Sequence, residues 1–500
     1  MKNLDRTNKG DNIKDDMSKS IDGSKRNDMN GNADDSVKSD EMIKNNENQG
    51  ESQEREQGSM QPVEEVKKTK KSHNSFGKGM FVGIFSTIIL LAVIIAVSTG
   101  MMMVNSSSGT GNENTEGFHL SRIMQKSQYI QSIIEKYFYF DEDFDAVEQG
   151  MYTGLVDGLG DPYAAYYTKE ELDSVMEETE GVYCGIGAAV SQNLKTGVIT
   201  ILRVYEGSPA EEAGLMAGDI LYKVDGIEAT GQDLDLLVSQ HVRGEEGTSV
   251  EIEVYRQSID EYVTATPIRR QVETPTVEHE MIEEETGYVL VTSFENITDK
   301  QFRAAIEDLE SQGMKRLLID LRNNPGGTLD AAIGMMSYVL PDGLLFYDED
   351  KNGNGTKFVS EDGIVWKISY TSENDETSKQ EFLEDTHELD IPMVVLVNEN
   401  SASAAEAFTS ALRDFDWASV VGTTTFGKGI VQTLIPLGDG SAVKLTTSHY
   451  FTKSGYDIHK QGLTPDVEVE LSEEVIKKGV FTKEEDNQIQ KALEVVKTLE

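Results

Sequence analysis

Ser403 lies in Asn398-Glu399-Asn400-Ser401-Ala402-Ser403-Ala404-Ala405-Glu406, after the apolar run VVLV and before a helical stretch. A serine at a helix start can turn its hydroxyl to a cleft while the next N–H and the positive helix end face the same substrate oxygen. The same residues form a capping box, Ser403-x-x-Glu406, and most such sequences merely start helices. Ser401 serves equally well as the cap, with Ser403 left as the nucleophile. One strand later comes Thr425-Phe426-Gly427-Lys428-Gly429. Loops after neighbouring parallel strands open at one sheet edge, so Lys428 can reach Ser403. A lysine between glycines beside apolar strands loses water; its pKa falls, and the neutral amine can take a serine proton. A lone lysine is far more often a solvated charge, and only the pairing with Ser403 separates the two readings. Gln432, in GIVQTL, can orient that amine or simply fill a strand ladder.

A third turn, Leu321-Arg322-Asn323-Asn324-Pro325-Gly326-Gly327, follows LLID and also opens a helix. Paired glycines allow close backbone approach and unusual φ/ψ, so N–H groups there can face a developing negative charge. Taken alone, the glycines mark a plain strand-to-helix turn.

The elements that must carry these turns follow from periodicity. Between about 271 and 470, strand-like runs such as KRLLIDL, IPMVVLV and WASVVG alternate with helical segments such as TLDAAIGMMSYVL and AEAFTSALRDF, which predicts an α/β layer fold with a largely parallel sheet. Polar, Gly-rich sequence from 342 to 388 reads as a hairpin-like insertion, and 471–500 as a charged amphipathic helix. Residues 181–270 break into short β-branched runs separated by glycine turns, with one helical patch around Leu234 to Val242. Residues 118–180 form a helical lead-in with Ile123, Ile130, Ile133 and Ile134 on one face, ending in GLGDPYAAYYTKEEL.

The 500 residues carry a formal charge of −44. Acids and bases nearly balance up to Val104, so the acidity belongs to the C-terminal part. Such a surface repels phosphate backbones and argues against nucleic-acid binding. A single cysteine, Cys184, excludes an intramolecular disulfide. Residues 1–79 are too poor in apolar side chains to offset chain entropy and read as a disordered tail. From Met80 to Val104 no charge occurs, and about 20 such residues cross a bilayer as a helix. Lys67, Lys68, Lys70, Lys71 and Lys78 precede this span, which predicts a cytoplasmic tail, a transmembrane helix over 80–104, a linker over 105–117 and everything beyond outside the cell.

The set DLRNNPGG, SASAAEAF, TTTFGKGIVQ and GLTPDVEV, in that order, resembles the C-terminal processing peptidases, which are similar to the tail-specific proteases; the likeness covers roughly 120–500. It implies a crotonase-like (ClpP/crotonase-type) α/β core, Ser403 as nucleophile, Lys428 as general base and Gln432 as the residue that positions the lysine. It further implies a supporting role for Asp414, and an oxyanion hole from the N–H groups of Ala404 and of Gly326 or Gly327. Ala405 departs from the family, whose members commonly have a third serine there. Tyr183-Cys184-Gly185-Ile186-Gly187 resembles the carboxylate-binding loop of a PDZ domain, and Gly207-Ser208-Pro209-Ala210 through Gly218-Asp219-Ile220-Leu221 to Asp225-Gly226 matches that domain's recurrent core. Tyr183, Gly185, Ile186 and Gly187 would then bind a peptide carboxylate while the peptide adds as a strand, and Cys184 would be a packing residue. The module, preceding or inserted into the core, would gate the meeting of Ser403 with Lys428. The implied partners are proteins or peptides with free C-termini, the membrane through one helix, and a second copy in a homo-oligomer. No cofactor is implied.

Other chemistries fit less well. His449 and His459 stand in no triad motif, and no H-E-x-x-H or Cys/His pair has ligand spacing. Asp348-x-Asp350-x-Asn352-Gly353 begins like a calcium loop, but its twelfth position is Val359, which favours an acidic hairpin turn. The alternative from another class is a membrane-tethered PDZ scaffold with an inactive peptidase core.

Overall fold

The computed structural model of the chain describes residues 119–500, apart from 284, 386, 480 and 500. The tail, the apolar span and the linker expected over 1–117 lie outside the described residues. Among those described, no helix is long and apolar enough to cross a membrane.

The core is built on a six-stranded sheet. Val277–Glu283 runs antiparallel to Thr286–Val291, and Arg316–Asp320, Met393–Val397, Ala418–Gly422 and Val467–Glu468 then continue in parallel. Leu317, Leu318, Ile319 and all five residues of Met393–Val397 are fully buried, because helices cover both faces and uninterrupted apolar runs are stable only in that setting. The helices Thr298–Ser311, Leu329–Val339 and Ala404–Asp414 pack one face through Phe302, Ile306, Met335, Met336, Phe408 and Leu412. The helix Asn487–Val496 covers the other through Ile489, Leu493 and Val496, each such burial stabilising by about 1.5–3 kcal/mol.

A second, seven-stranded antiparallel sheet differs from the expected hairpin. The 342–388 interval supplies four strands, Gly343–Asp350, Gly355–Glu361, Ile364–Tyr370 and Glu376–Glu384, and these join Ile430–Pro436, Ala442–Phe451 and the lead-in strand Ala165–Tyr167. Leu345, Phe346, Phe358 and Val365 are the buried side chains that join this meander to the core. At its first turn Asp350 accepts the N–H groups of Asn352 at 2.7 Å and Asn354 at 2.9 Å, the geometry of a hairpin turn. Asp348 is half-buried in the strand before it, and the loss of hydration pushes its carboxyl up to about 6.

Residues between Gly181 and Glu273 form a smaller β-rich unit: the strands Ala188–Gln192, Ile199–Val204, Ile220–Val224, Ile252–Arg256 and Glu261–Ala265, with Ile227–Glu228 at the side, around Ile199, Ile201, Leu221, Val224 and Val254. Val182–Gly185 pairs with Arg270–Glu273 and closes the unit at its neck. Because Ala165–Tyr167 belongs to the second sheet, the β-rich unit is inserted into the chain of the core rather than simply preceding it.

The lead-in helices Leu120–Tyr137 and Phe144–Asp157 form as their periodicity predicts, yet the first buries no residue and the second only Val156. Ile123, Ile130 and Ile133 face outward. The C-terminal stretch is two helices, Glu473–Lys478 and Asn487–Val496, not one; Gly479, at φ 73°, ends the first.

Candidate active site

The three turns picked out by sequence converge at one edge of the parallel sheet. A cavity of about 730 Å³ is lined by Gly326, Gly327, Ser403, Ala404, Lys428 and Gln432, with Val175, Met176, Glu178 and Thr179 of the helix Lys169–Glu180 along one wall.

Ser403 sits at the N-cap of Ala404–Asp414 with φ 57° and ψ −116°, a conformation L-residues avoid. Such strain, of order 1–3 kcal/mol, persists only where the surroundings over-determine it, and it turns a side chain out of the chain's path. Ser403 and Glu406 have the arrangement of a capping box, but the serine hydroxyl takes no hydrogen bond from the helix. The working half is the Glu406 carboxylate, which accepts the Ser403 N–H at 2.9 Å. Ser401, the other serine, is spent structurally: its buried hydroxyl donates to the Leu321 carbonyl at 2.7 Å and accepts the Asn398 N–H at 2.9 Å.

Glu406 is fully buried and also accepts the N–H groups of Gly427 at 2.7 Å and Lys428 at 2.8 Å, as well as the Thr425 hydroxyl. One carboxylate thus holds both the serine turn and the lysine turn. Sequence reading saw only its i, i+3 relation to Ser403. The Lys428 amine is buried enough that lost hydration, and next the charge of Lys444, lower its pKa below the ordinary lysine value; Glu406 and Asp161 oppose this. The ammonium stands 4.7 Å from the centre of the Tyr163 ring. No hydrogen bond joins Lys428 to Ser403 or to Gln432 in this structure; the Gln432 amide donates to the Thr446 hydroxyl over a long 3.4 Å.

The glycine turn is strapped tightly. Gly326 and Gly327 have φ 93° and 147°, and a Cβ on Gly327 would lie 2.0 Å from the Phe294 carbonyl oxygen. A Cβ on Gly326 would lie 2.8 Å from the Ser403 Cβ and 2.9 Å from the Ala404 nitrogen, so the two turns touch. The Gly326 N–H is committed to the Asn324 side chain at 2.8 Å. The N–H groups of Gly327 and Ala404 make no hydrogen bond among the described residues. Asp320 and Arg322 brace the turn from below: the guanidinium binds Asp320 and reaches Asp486 at 2.8 Å beside the last helix. Asp414 is not at the cavity. It ends the helix that Ser403 begins, about 15 Å along its axis, and accepts the Ser454 N–H at 2.8 Å.

A second cavity, about 700 Å³, opens in the β-rich unit between Ala188–Gln192 and the helical turn from Leu234 to Val242, with Ile186, Ile201, Leu221 and Val238 lining it. Tyr183, Gly185 and Ile186 stand at its mouth. The carbonyls of Ile186 and Gly187 accept from Ala210 at 2.8 Å and Tyr205 at 3.0 Å. Gly187 has φ 77°, and a Cβ there would meet Ser208 at 2.4 Å. Arg243 covers the Tyr183 ring at 4.8 Å and pairs with Glu177 of the wall helix. Cys184 is half-buried, and its burial raises the thiol pKa. His449 and His459 lie outside both cavities, their rings 5.1 Å apart.

Residues 285–469 match the model of peptidase family S41, and residues 200–256 match that of the PDZ domain. The chain is 33% identical over 394 residues to the carboxy-terminal processing protease CtpA of Bacillus subtilis (strain 168), covering 78% of this chain and 77% of that one. It is likewise 33% identical over 407 residues to a probable CtpA-like serine protease of Staphylococcus aureus (strain COL), covering 81% and 75%. Among solved structures it is similar to the photosystem II D1 C-terminal processing protease, at 26% identity and a TM-score of 0.37 over 70% of this chain and 88% of that one.

Proposed function

We propose, from the premise that this chain belongs to peptidase family S41 and is a serine endopeptidase of the C-terminal processing type, that Ser403 is its nucleophile and Lys428 its general base. The observation that carries the reading is the cavity shared by a strained serine and a lysine whose amine is partly stripped of water. The neutral amine takes the Ser403 proton as the oxygen attacks the substrate carbonyl carbon. The tetrahedral oxyanion is held by the two uncommitted N–H groups, those of Ala404 and Gly327; the engagement of Gly326 with Asn324 favours Gly327 as the second donor. Collapse breaks the C–N bond, and the Lys428 ammonium returns the proton to the leaving amine. Water, deprotonated by the same amine, then releases the acyl group from Ser403. Gln432, now bonded to Thr446, is within the same cavity and orients the lysine once substrate draws it across. Asp414 acts only by bracing the far end of the helix.

The substrate C-terminus binds at the loop of Tyr183, Gly185, Ile186 and Gly187 and continues as a strand along Ala188–Gln192. Glu178 and Glu295 line both cavities, and the wall helix Lys169–Glu180 carries the first of them, so occupation of the groove bears on the nucleophile's chamber. The core is of the crotonase type. The uncharged run 80–104, with lysines only before it, anchors the chain in the cell membrane with residues beyond it outside. The test is cleavage of an unstructured protein with an apolar C-terminus by full-length protein. Ser403→Ala and Lys428→Ala are each expected to lose at least about a hundredfold in kcat/KM while tail binding persists. Activity that survives both substitutions eliminates the dyad.

A further inference from the structure

A lysine serves as a base only if its amine is kept short of water and aimed; the glycines on either side of Lys428 bring no side chain that could do either. The charges facing its amine are Lys444 from the second sheet, Glu406 from the serine helix and Asp161 from the lead-in turn, with the His449–His459 pair behind Asp161. The aromatic face that lies against it is the ring of Tyr163, 4.7 Å away. The backbone that carries this ring is fixed before and after it. Asp161 accepts the Tyr163 N–H at 3.0 Å, and two residues on, Ala165 enters the strand pairing in which it stands opposite Lys444. The neighbouring rung pairs Gln432 with Thr446. The Tyr163 hydroxyl makes no hydrogen bond among the described residues, so the ring itself is what the position uses.

Resting on the Ser403/Lys428 reading, we propose that Tyr163 is a positioning residue for the Lys428 amine: supplied by the lead-in rather than by the peptidase core, its ring covers the amine and limits its swing to the side of Ser403. Two effects of the ring oppose one another. Attraction of a cation to an aromatic face favours the ammonium by roughly 0.5–1 kcal/mol at exposed sites. Exclusion of water disfavours it, in the same direction as the burial that leads the causes of the lowered basicity here, and we take covering as the larger effect, which the pH profile measures.

The test measures kcat/KM against pH for full-length protein and for Tyr163→Phe, Tyr163→Leu and Tyr163→Ala, with Lys428→Ala beside them. Tyr163→Phe is expected to match the parent. Tyr163→Ala is expected to lose about tenfold in kcat/KM, with its acidic limb moved up by about one pH unit as water reaches the amine. Should Tyr163→Ala fail to fold, Tyr163→Leu decides, since a smaller apolar cover keeps the turn packed and still predicts an upward shift of the limb. An acidic limb unmoved in the folded variants, or a loss in Tyr163→Phe equal to that in Tyr163→Ala, overturns the proposal. An active Lys428→Ala would instead sink the dyad itself, so the two failures are told apart.

Discussion

Glu406 receives four donors from two turns, and hydrogen bonds to a charged group contribute about 1.5–3 kcal/mol each. Glu406→Gln replaces one accepting oxygen with an N–H pair aimed at other N–H groups. We expect kcat to fall at least about tenfold with a smaller change in KM, because the turns that carry Ser403 and Lys428 separate while the groove of the β-rich unit is untouched. Steady-state kinetics beside calorimetric tail binding check this; equal losses in both would contradict it. The spacing of Ser403, Lys428 and Gln432 was legible because each stands in or just after a turn that follows an apolar strand. Glu406 read only as a cap, since sequence shows the partner three residues away and not those supplied by the next loop. Tyr163 was invisible for the same reason: nothing in GLGDPYAAYY tells that the turn folds back over a lysine from the far end of the catalytic domain.

The helix Lys169–Glu180 begins with a capping box at Thr168 and ends at Gly181, whose φ of 70° stops it where a Cβ would strike Glu295. Between those ends it serves two cavities. A proline at Val175, mid-helix, breaks the ladder at a cost of about 3 kcal/mol or more. Val175→Pro is therefore expected to weaken tail affinity and lower kcat together, whereas Val238→Ser, confined to the groove, weakens tail affinity and raises KM while kcat at saturating substrate holds. Isothermal titration and turnover on the same preparations distinguish a shared wall from two independent sites. Periodicity identified the long buried helices and parallel strands because their apolar residues are dense. It underread the 342–388 interval, where the strands bury few side chains among glycine and acidic residues and Glu376–Glu384 buries none. It also ran the C-terminal stretch together as one helix across Gly479, since charged sequence continues on both sides.

At the level of the whole chain, the lead-in helices leave Ile123, Tyr129, Ile130, Ile133, Phe144 and Leu155 exposed. Contiguous apolar surface of this kind commonly marks an interaction site. Helical periodicity told of an apolar face and could not tell what covers it. We propose that a second copy of the chain does so. Sedimentation of full-length protein is expected to show concentration-dependent association that Ile130→Asp with Ile133→Asp abolishes; a monomer at every concentration would remove the idea.

The strand Ala165–Tyr167 has a consequence for how the peptide-binding unit is carried. Because that strand is bonded into the catalytic half, the unit leaves and re-enters the same body, like a bead threaded on a closed string rather than a charm hung from its end. Its local concentration at the catalytic chamber is therefore set by covalent geometry and is untouched by dilution. Held by two stems, the unit cannot drift away.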